Sequence, residues 1–217
     1  MRNLAITPRG RSLKVLCLGA HSDDIEIGCG GTVLTLIASH PRVEFDWVVL
    51  SASGKRRKEA EAGAAAFLSG AARANVTVKG FRDGYFPYIG GGIKDFFEEL
   101  KKAVEPDLIL THHRRDLHQD HRLVSELTWN TFRDHVILEY EIPKYDGDRG
   151  APNVFVPLNE RISEAKSKII LEHFRTQAAN GWFTAETFLA LMRLRGVESN
   201  APAGYAEAFY GRKLILS

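Results

Sequence analysis

The sequence is short of cysteine, of long apolar runs and of excess charge, and each shortage removes a class of protein. Two cysteines among 217 residues, Cys17 and Cys29, cannot build a disulfide framework. Neither sits in a plausible ligand pair, which argues against a thiolate-bound structural zinc. The longest apolar runs fall far short of the roughly 20 residues that cross a bilayer, so no membrane span is expected. A formal net charge of +2, with both signs spread along the chain, gives no reason to expect nucleic acid as a partner. Residues 1–12 are polar and hold Pro8 and three arginines, unlike a secretory leader. Internal repeats, low-complexity tracts and linkers are missing too. The expectation is a soluble, cytoplasmic protein with one domain over residues 1–217.

What the chain does have is ionisable side chains concentrated in two places. The first lies in Lys14 to Leu34, KVLCLGAHSDDIEIGCGGTVL. Val15 to Leu18 is a short apolar run of the kind a buried parallel strand uses. It stops at Gly19, and His21, Asp23, Asp24 and Glu26 follow at once. Gly28, Gly30 and Gly31 then read as a tight turn before a helix from Gly30 to about His40. They do not form GxGxxG, and three carboxylates would repel a phosphate, so close helix–strand packing explains them better.

The second cluster, HHRRDLHQDHR, follows an expected strand at Asp107 to Thr111 and runs into a helix from about Asp120 to Asp134. Between the clusters, strands are expected at Val43 to Leu50 and Asn75 to Phe81, and helices at Lys55 to about Ala72 and Ile93 to Val104. The β-α-β-α-β-α-β-α order argues for an α/β, Rossmann-like three-layer fold with a mostly parallel sheet. In such sheets ligands bind at the carboxyl ends of the strands, where both clusters fall. The last third is less regular: strands at Val136 to Ile142, Val154 to Leu158 and Ala206 to Leu216, with helices at Glu160 to about Ala178 and Thr184 to Arg195.

Folding does not require so many ionisable groups at two strand ends, and metal binding explains them. His118 and His121 share one helix face, with Asp120 beside them. Nitrogen and oxygen donors with a position left for water describe a catalytic zinc site. Of two adjacent aspartates, one can ligate while the other serves as general base. A polar network at a sheet edge is the plainer alternative. His118 or Asp120 could simply cap a helix, and Glu26 reads as structural, paired with a donor or capping. One of His112 and His113 could line the cleft. The loop Tyr85-Phe86-Pro87-Tyr88 could stack on a sugar or cover an apolar edge.

His21-Ser-Asp23-Asp24-x-Glu26 with Gly30-Gly31, followed by Asp116-x-His118-x-Asp120-His121, resembles the PIG-L/LmbE family of zinc-dependent N-acetylglucosamine deacetylases. Arg56-x-x-Glu59, Tyr140-Glu141-Ile142, Lys166 to Gln177 and Tyr205 to Phe209 also look like landmarks of that family. Ser22 stands where the family usually has proline, and Phe174-Arg175-Thr176 replaces its usual histidine and serine before Gln177. The resemblance implies His21, Asp24 and His121 as ligands of Zn2+, or of another divalent transition metal. It implies Asp23 as general base on the zinc-bound water and His118 at the substrate carbonyl. Asp120 would hold a histidine's tautomer, and Arg56, or Arg57 one residue along, would line the substrate pocket. The implied activity is hydrolysis of a linear amide, removing acetate from an N-acetylated amino sugar or glycoconjugate. The alternatives are a zinc-dependent amidase for a non-sugar N-acyl substrate and a non-catalytic nucleotide-binding α/β protein.

Overall fold

A computed structural model describes residues 12–215. The polar stretch read over residues 1–11 and the end of the closing strand at residue 216 lie outside them. Strands β1 (Leu13–His21), β2 (Val43–Ser51), β3 (Arg73–Val78), β4 (Leu108–His112), β5 (Val136–Tyr140), β6 (Val154–Leu158) and β7 (Tyr205–Gly211) form one sheet, ordered β3-β2-β1-β4-β5-β7-β6. The first five run parallel. β7 lies antiparallel between β5 and β6, an insertion that the strand spacing alone does not suggest.

Side chains alternate across the sheet with the period of two that strands impose. Val15 and Cys17 of β1 join one core layer, Leu16, Leu18 and Ala20 the other. Helices α1 (Asp24–Ser39), α2 (Gly54–Phe67), α5 (Glu160–His173) and α6 (Ala185–Ser199) cover the first face. Helices α3 (Gly90–Ala103) and α4 (Gln119–Thr131) cover the second. The three-layer, mostly parallel architecture is therefore as expected. Among the described residues no helix is long and apolar enough to cross a membrane.

Some local expectations need correction; α2, for example, ends at Phe67 and not near Ala72. Gly28, Gly30 and Gly31 are not a turn ahead of a helix but lie inside α1, which begins at Asp24. Both acids Asp24 and Glu26 thus occupy its first turn, where the positive end of the helix dipole favours an ionised carboxylate such as that of Asp24. The glycines bring α1 close to its neighbours. A Cβ on Gly28 would stand 2.2 Å from the ring of Tyr140, and one on Gly30 2.6 Å from Phe67. The helix expected to run to Ala178 ends at His173, and a 3-10 turn over Arg175–Gln177 follows. Burial of Phe174, which caps α5, stops it there.

A buried ion pair fixes the middle of α1. Lys166 of α5 and Glu207 of β7 meet at 2.6 Å. Glu207 accepts from the N–H groups of Gly31 and Thr32 at 2.8 and 2.6 Å, while Lys166 donates to the carbonyl of Ile27 at 2.6 Å. Backbone groups in the helix interior are thus gripped by side chains from the last third of the chain.

Tyr140 cannot retreat easily, because its hydroxyl donates to the carbonyl of Leu18 at 2.6 Å. The substitution Gly28→Ala should therefore lower unfolding stability by about 1–3 kcal/mol, as overpacking does in closed cores. Urea denaturation measures it; an unchanged midpoint would show that α1 has room to move.

Candidate active site

β1 and β4 are direct neighbours, with Val15 opposite Leu108 and Cys17 opposite Leu110. The chain leaves β1 toward β2 on one side and returns to β4 on the other. That reversal opens a crevice at the carboxyl ends of the two strands, the place where such sheets bind ligands. His21 ends β1, Asp23 and Asp24 start α1, and His112 ends β4. His118 precedes α4, and Asp120 and His121 lie in its first turn.

Three donors converge. His21 Nδ1 lies 3.2 Å from His121 Nε2 and 3.4 Å from Asp24 Oδ2, and His121 Nε2 lies 3.5 Å from Asp24 Oδ1. A tetrahedral zinc ion about 2.0 Å from each ligand requires ligand–ligand separations of about 3.3 Å. The two rings meet that spacing, while Asp24 faces each of them with a different oxygen; the groups close enough to share one ion include His21, His118 and His121, and Asp24, His112 and His121.

Each histidine is held from behind by a carboxylate. His121 Nδ1 faces Asp116 Oδ2 at 2.9 Å, and His21 Nε2 faces Asp120 Oδ2 at 3.3 Å and Asp83 Oδ1 at 3.1 Å. Carboxylates placed there hold a proton on the far nitrogen of each ring, so the facing nitrogens are the ones a metal could take, the arrangement found behind metal-binding histidines. Asp120 is fully buried and accepts from the N–H groups of Gly84 and Phe86 at 2.7 and 3.1 Å. It is not a helix cap. His118 takes that place, its Nδ1 accepting from the N–H of Asp120 at 3.3 Å.

The two adjacent aspartates are in different surroundings. Burial pushes the Asp24 carboxyl up, but His121, His112 and His21 overcome it and hold the group well below its ordinary range. Burial raises Asp23, and the opposing charge of Arg56, whose Nη2 donates to Oδ1 at 2.8 Å, does not restore it. Burial and the nearby His112 lower His121 to about 4, so it is neutral at neutral pH. Burial would lower His21 as well, yet Asp24, Asp120 and Asp83 raise it well above the ordinary imidazole value. That much negative charge around one ring attracts a cation. Burial and His21 keep His118 low and uncharged.

Arg56 lines the cleft, whereas Arg57 pairs with Glu61 at 2.8 Å on the exposed face of α2. Glu26 does not reach the cleft. It is buried near Gly63, and neither oxygen has a hydrogen-bond partner among the described residues, so the donor or capping partner expected for it is not found. Burial and the charges of Asp23 and Asp24 raise its pKa well above the usual range, which keeps it neutral. His112 is the strand-end histidine at the site, with Nε2 3.1 Å from Asp24 Oδ2 and its ring stacked 3.9 Å from that of His121. His113 turns away to Glu139 at 2.8 Å. In the aromatic loop Phe86 covers the core, while Asp83 lines the cleft. Sequence reasoning assigns no role to Asp83, Asp116 or Lys144, the last of which sits 3.0 Å from Asp116. Asp116 has a signal, two residues before His118 in the second motif; the lone acid Asp83 in a glycine-rich loop has none.

Residues 16–132, more than half of the chain, match the family described as PIG-L, GlcNAc-PI de-N-acetylase. The chain belongs to the PIG-L family. Solved structures agree on the fold. The conserved protein TT1542 from Thermus thermophilus is 21% identical with a TM-score of 0.75, covering 94% of this chain and 97% of that one. The N,N'-diacetylchitobiose deacetylase from Pyrococcus horikoshii is 21% identical with a TM-score of 0.67, covering 92% and 83%. GalB, the 4-carboxy-2-hydroxymuconate hydratase from Pseudomonas putida KT2440, is 18% identical with a TM-score of 0.75, covering 94% and 98%. These likenesses establish the architecture. A fold shared by a deacetylase and a hydratase does not choose the reaction, so this PIG-L chain must be read from its own side chains.

Elemental analysis of the protein as purified, and calorimetric titration of the chelator-stripped protein, should each find one divalent ion bound per chain. Asp116→Asn should weaken that binding about 10–100-fold, as loss of a histidine's orienting carboxylate does. A metal must displace the proton from His21, so affinity should fall as the pH is lowered through that group's raised pKa. Affinity independent of pH, or unchanged in Asp116→Asn, would contradict the arrangement.

Proposed function

We propose that the protein is a zinc-dependent N-deacetylase that removes acetate from an N-acetylated amino sugar, N-acetylglucosamine-like and alone or within a glycoconjugate. The same reading takes residues 1–217 as one catalytic domain. What carries the reading is the separation of Asp23 from Asp24: Asp24 stands within 3.5 Å of His21 and His121, whereas Asp23 lines the cleft with its Oδ1 accepting from Arg56 at 2.8 Å. Neighbouring carboxylates whose environments drive their pKa values apart mark a division between acid–base work and charge stabilisation. The family's description as de-N-acetylases supports an amide as the bond broken.

In this reading His21, Asp24 and His121 hold the metal. Lewis acidity toward a carbonyl oxygen and a lowered pKa for water are what a divalent ion contributes when bound. Asp24 stays ionised and brings negative charge to the donor set. Asp23, with its raised pKa, takes the proton of the attacking water and can return it to the departing amine. Arg56 orients Asp23 through the 2.8 Å bond and limits the rise. His118 is neutral, and the bond from Asp120 N–H occupies its Nδ1, so the proton sits on Nε2. That N–H donates to the carbonyl oxygen as negative charge develops on it. Asp116 and Asp120 hold the ring orientations.

Acetate release from N-acetylglucosamine and its conjugates, with and without chelator, tests the proposal. Activity should vanish on chelation and return with zinc. Asp23→Asn should keep the metal and lose at least about a hundredfold in kcat, the usual span of a general base. His121→Ala should lose the metal. Turnover indifferent to chelation and to Asp23→Asn would reject the mechanism, and hydrolysis confined to non-sugar amides would reject the substrate class.

A further inference from the structure

The cleft is much larger than its chemistry at the floor requires. Its volume is about 350 Å3, within the range of about 300–1,000 Å3 for small-molecule sites, and an acetyl group fills a small part of it. Its lining is of two kinds. Ile27 lies one helical turn beyond Asp23 and Asp24 and so shares their side of α1. Ile142, two residues past β5, and Trp182 add apolar surface. Ser53, Arg56 and Gln177 line the same cleft with hydrogen-bonding groups.

Trp182 sits on the segment between α5 and α6, and that segment is fastened to α2. Glu59 accepts from the N–H of Thr176 at 2.8 Å and from its hydroxyl, and Arg56 donates to that hydroxyl at 3.2 Å. Phe174 and Phe183 are buried in the core on either side of the turn. The indole packs edge-on against Phe183 and Phe188, with centroids 5.5 and 6.4 Å apart, yet it remains only half-buried. Trp47, by contrast, is fully buried. A rigidly mounted, half-open indole in a cleft that also offers amide and hydroxyl groups matches a particular shape of ligand. A pyranose ring has apolar C–H faces and a polar rim. An extended acyl chain, apolar all round, would offer Ser53, Arg56 and Gln177 no hydrogen-bond partner.

We infer that Trp182 is a specificity-determining residue that stacks against the sugar ring of the substrate. The inference rests on the amino-sugar reading above and adds the surface that recognises the ring. Asp23 and His118 act on the amide, while Trp182 selects what the amide is attached to.

The test compares wild type, Trp182→Phe and Trp182→Leu on N-acetylglucosamine and on N-acetylethanolamine, which carries the same amide without a ring. Binding of N-acetylglucosamine is measured separately by calorimetry in an Asp23→Asn background. Trp182→Leu should raise KM for the sugar about tenfold with kcat little changed, the effect expected when a stacking face is lost. Trp182→Phe should stay within about threefold, because it keeps an aromatic face. KM for N-acetylethanolamine should not move, and the binding constant for the sugar should weaken with its KM. Equal effects on both amides, or none on the sugar, overturn the stacking role alone. So does an effect that follows acyl length when N-butanoylglucosamine replaces the acetyl compound. Where the ringless amide is not turned over, the calorimetric arm decides. A wild-type protein that neither binds nor hydrolyses N-acetylglucosamine overturns the amino-sugar reading itself, and this inference with it.

Discussion

Where α1 crosses the sheet, Gly28 meets the ring of Tyr140 at a distance that leaves no space for a methyl group, and Gly30 does the same against Phe67. Helices usually stand off a sheet by the width of their side chains. Here the absence of a Cβ lets the backbone itself pack on aromatic rings. The first turn of α1 is thereby set down beside the ends of β1 and β4, and Asp24 comes within 3.5 Å of a histidine that follows it by about a hundred residues. The precision of the site is inherited from that contact. Its residues converge because the layers beneath them cannot slide.

Charge then does what geometry permits. Asp24, Asp83, Asp116 and Asp120 crowd around two imidazoles in a crevice whose floor is largely buried, where interactions are stronger than in solvent. Such a group of anions is tolerable only with positive charge among them. Lys144 supplies part of it beside Asp116, and Arg56 part of it beside Asp23. Arg56 lines the cleft, and its closest partner there is Asp23.

Much of this is legible in the order of the amino acids alone. The succession of strands and helices along the chain follows from alternating apolar runs and turns, because parallel strands buried on both faces leave continuous stretches such as Val15 to Leu18. The two polar clusters can be placed at one sheet edge because both directly follow such strands. Where α1 begins cannot be read, because glycine signals a turn more often than a helix interior, and only the neighbours in space reveal why three are used: Tyr140 against Gly28, Phe67 against Gly30, and Leu158 with Glu207 against Gly31. The choice between His112 and His113 stays open for a similar reason. Adjacent strand residues point to opposite faces, and which one faces the crevice depends on register. Asp83 is legible only in three dimensions. Its loop comes to His21 because Asp120 grips the N–H groups of Gly84 and Phe86.

The pair formed by Lys166 and Glu207 has a consequence for how the molecule can be cut and recombined. Every donor proposed for the metal, and every carboxylate standing behind those donors, falls within residues 16–132, the stretch that matches the family. Yet Gly31 and Thr32 in the same stretch lend their backbone N–H groups to a carboxylate at position 207. A piece ending after α4 would carry the full donor set and leave those groups without that acceptor inside an apolar layer. A chimera that exchanges the last third between relatives would have to bring a matching lysine and glutamate with it. The residues that would hold the ion and the ion pair that grips the middle of α1 occupy separate parts of the chain.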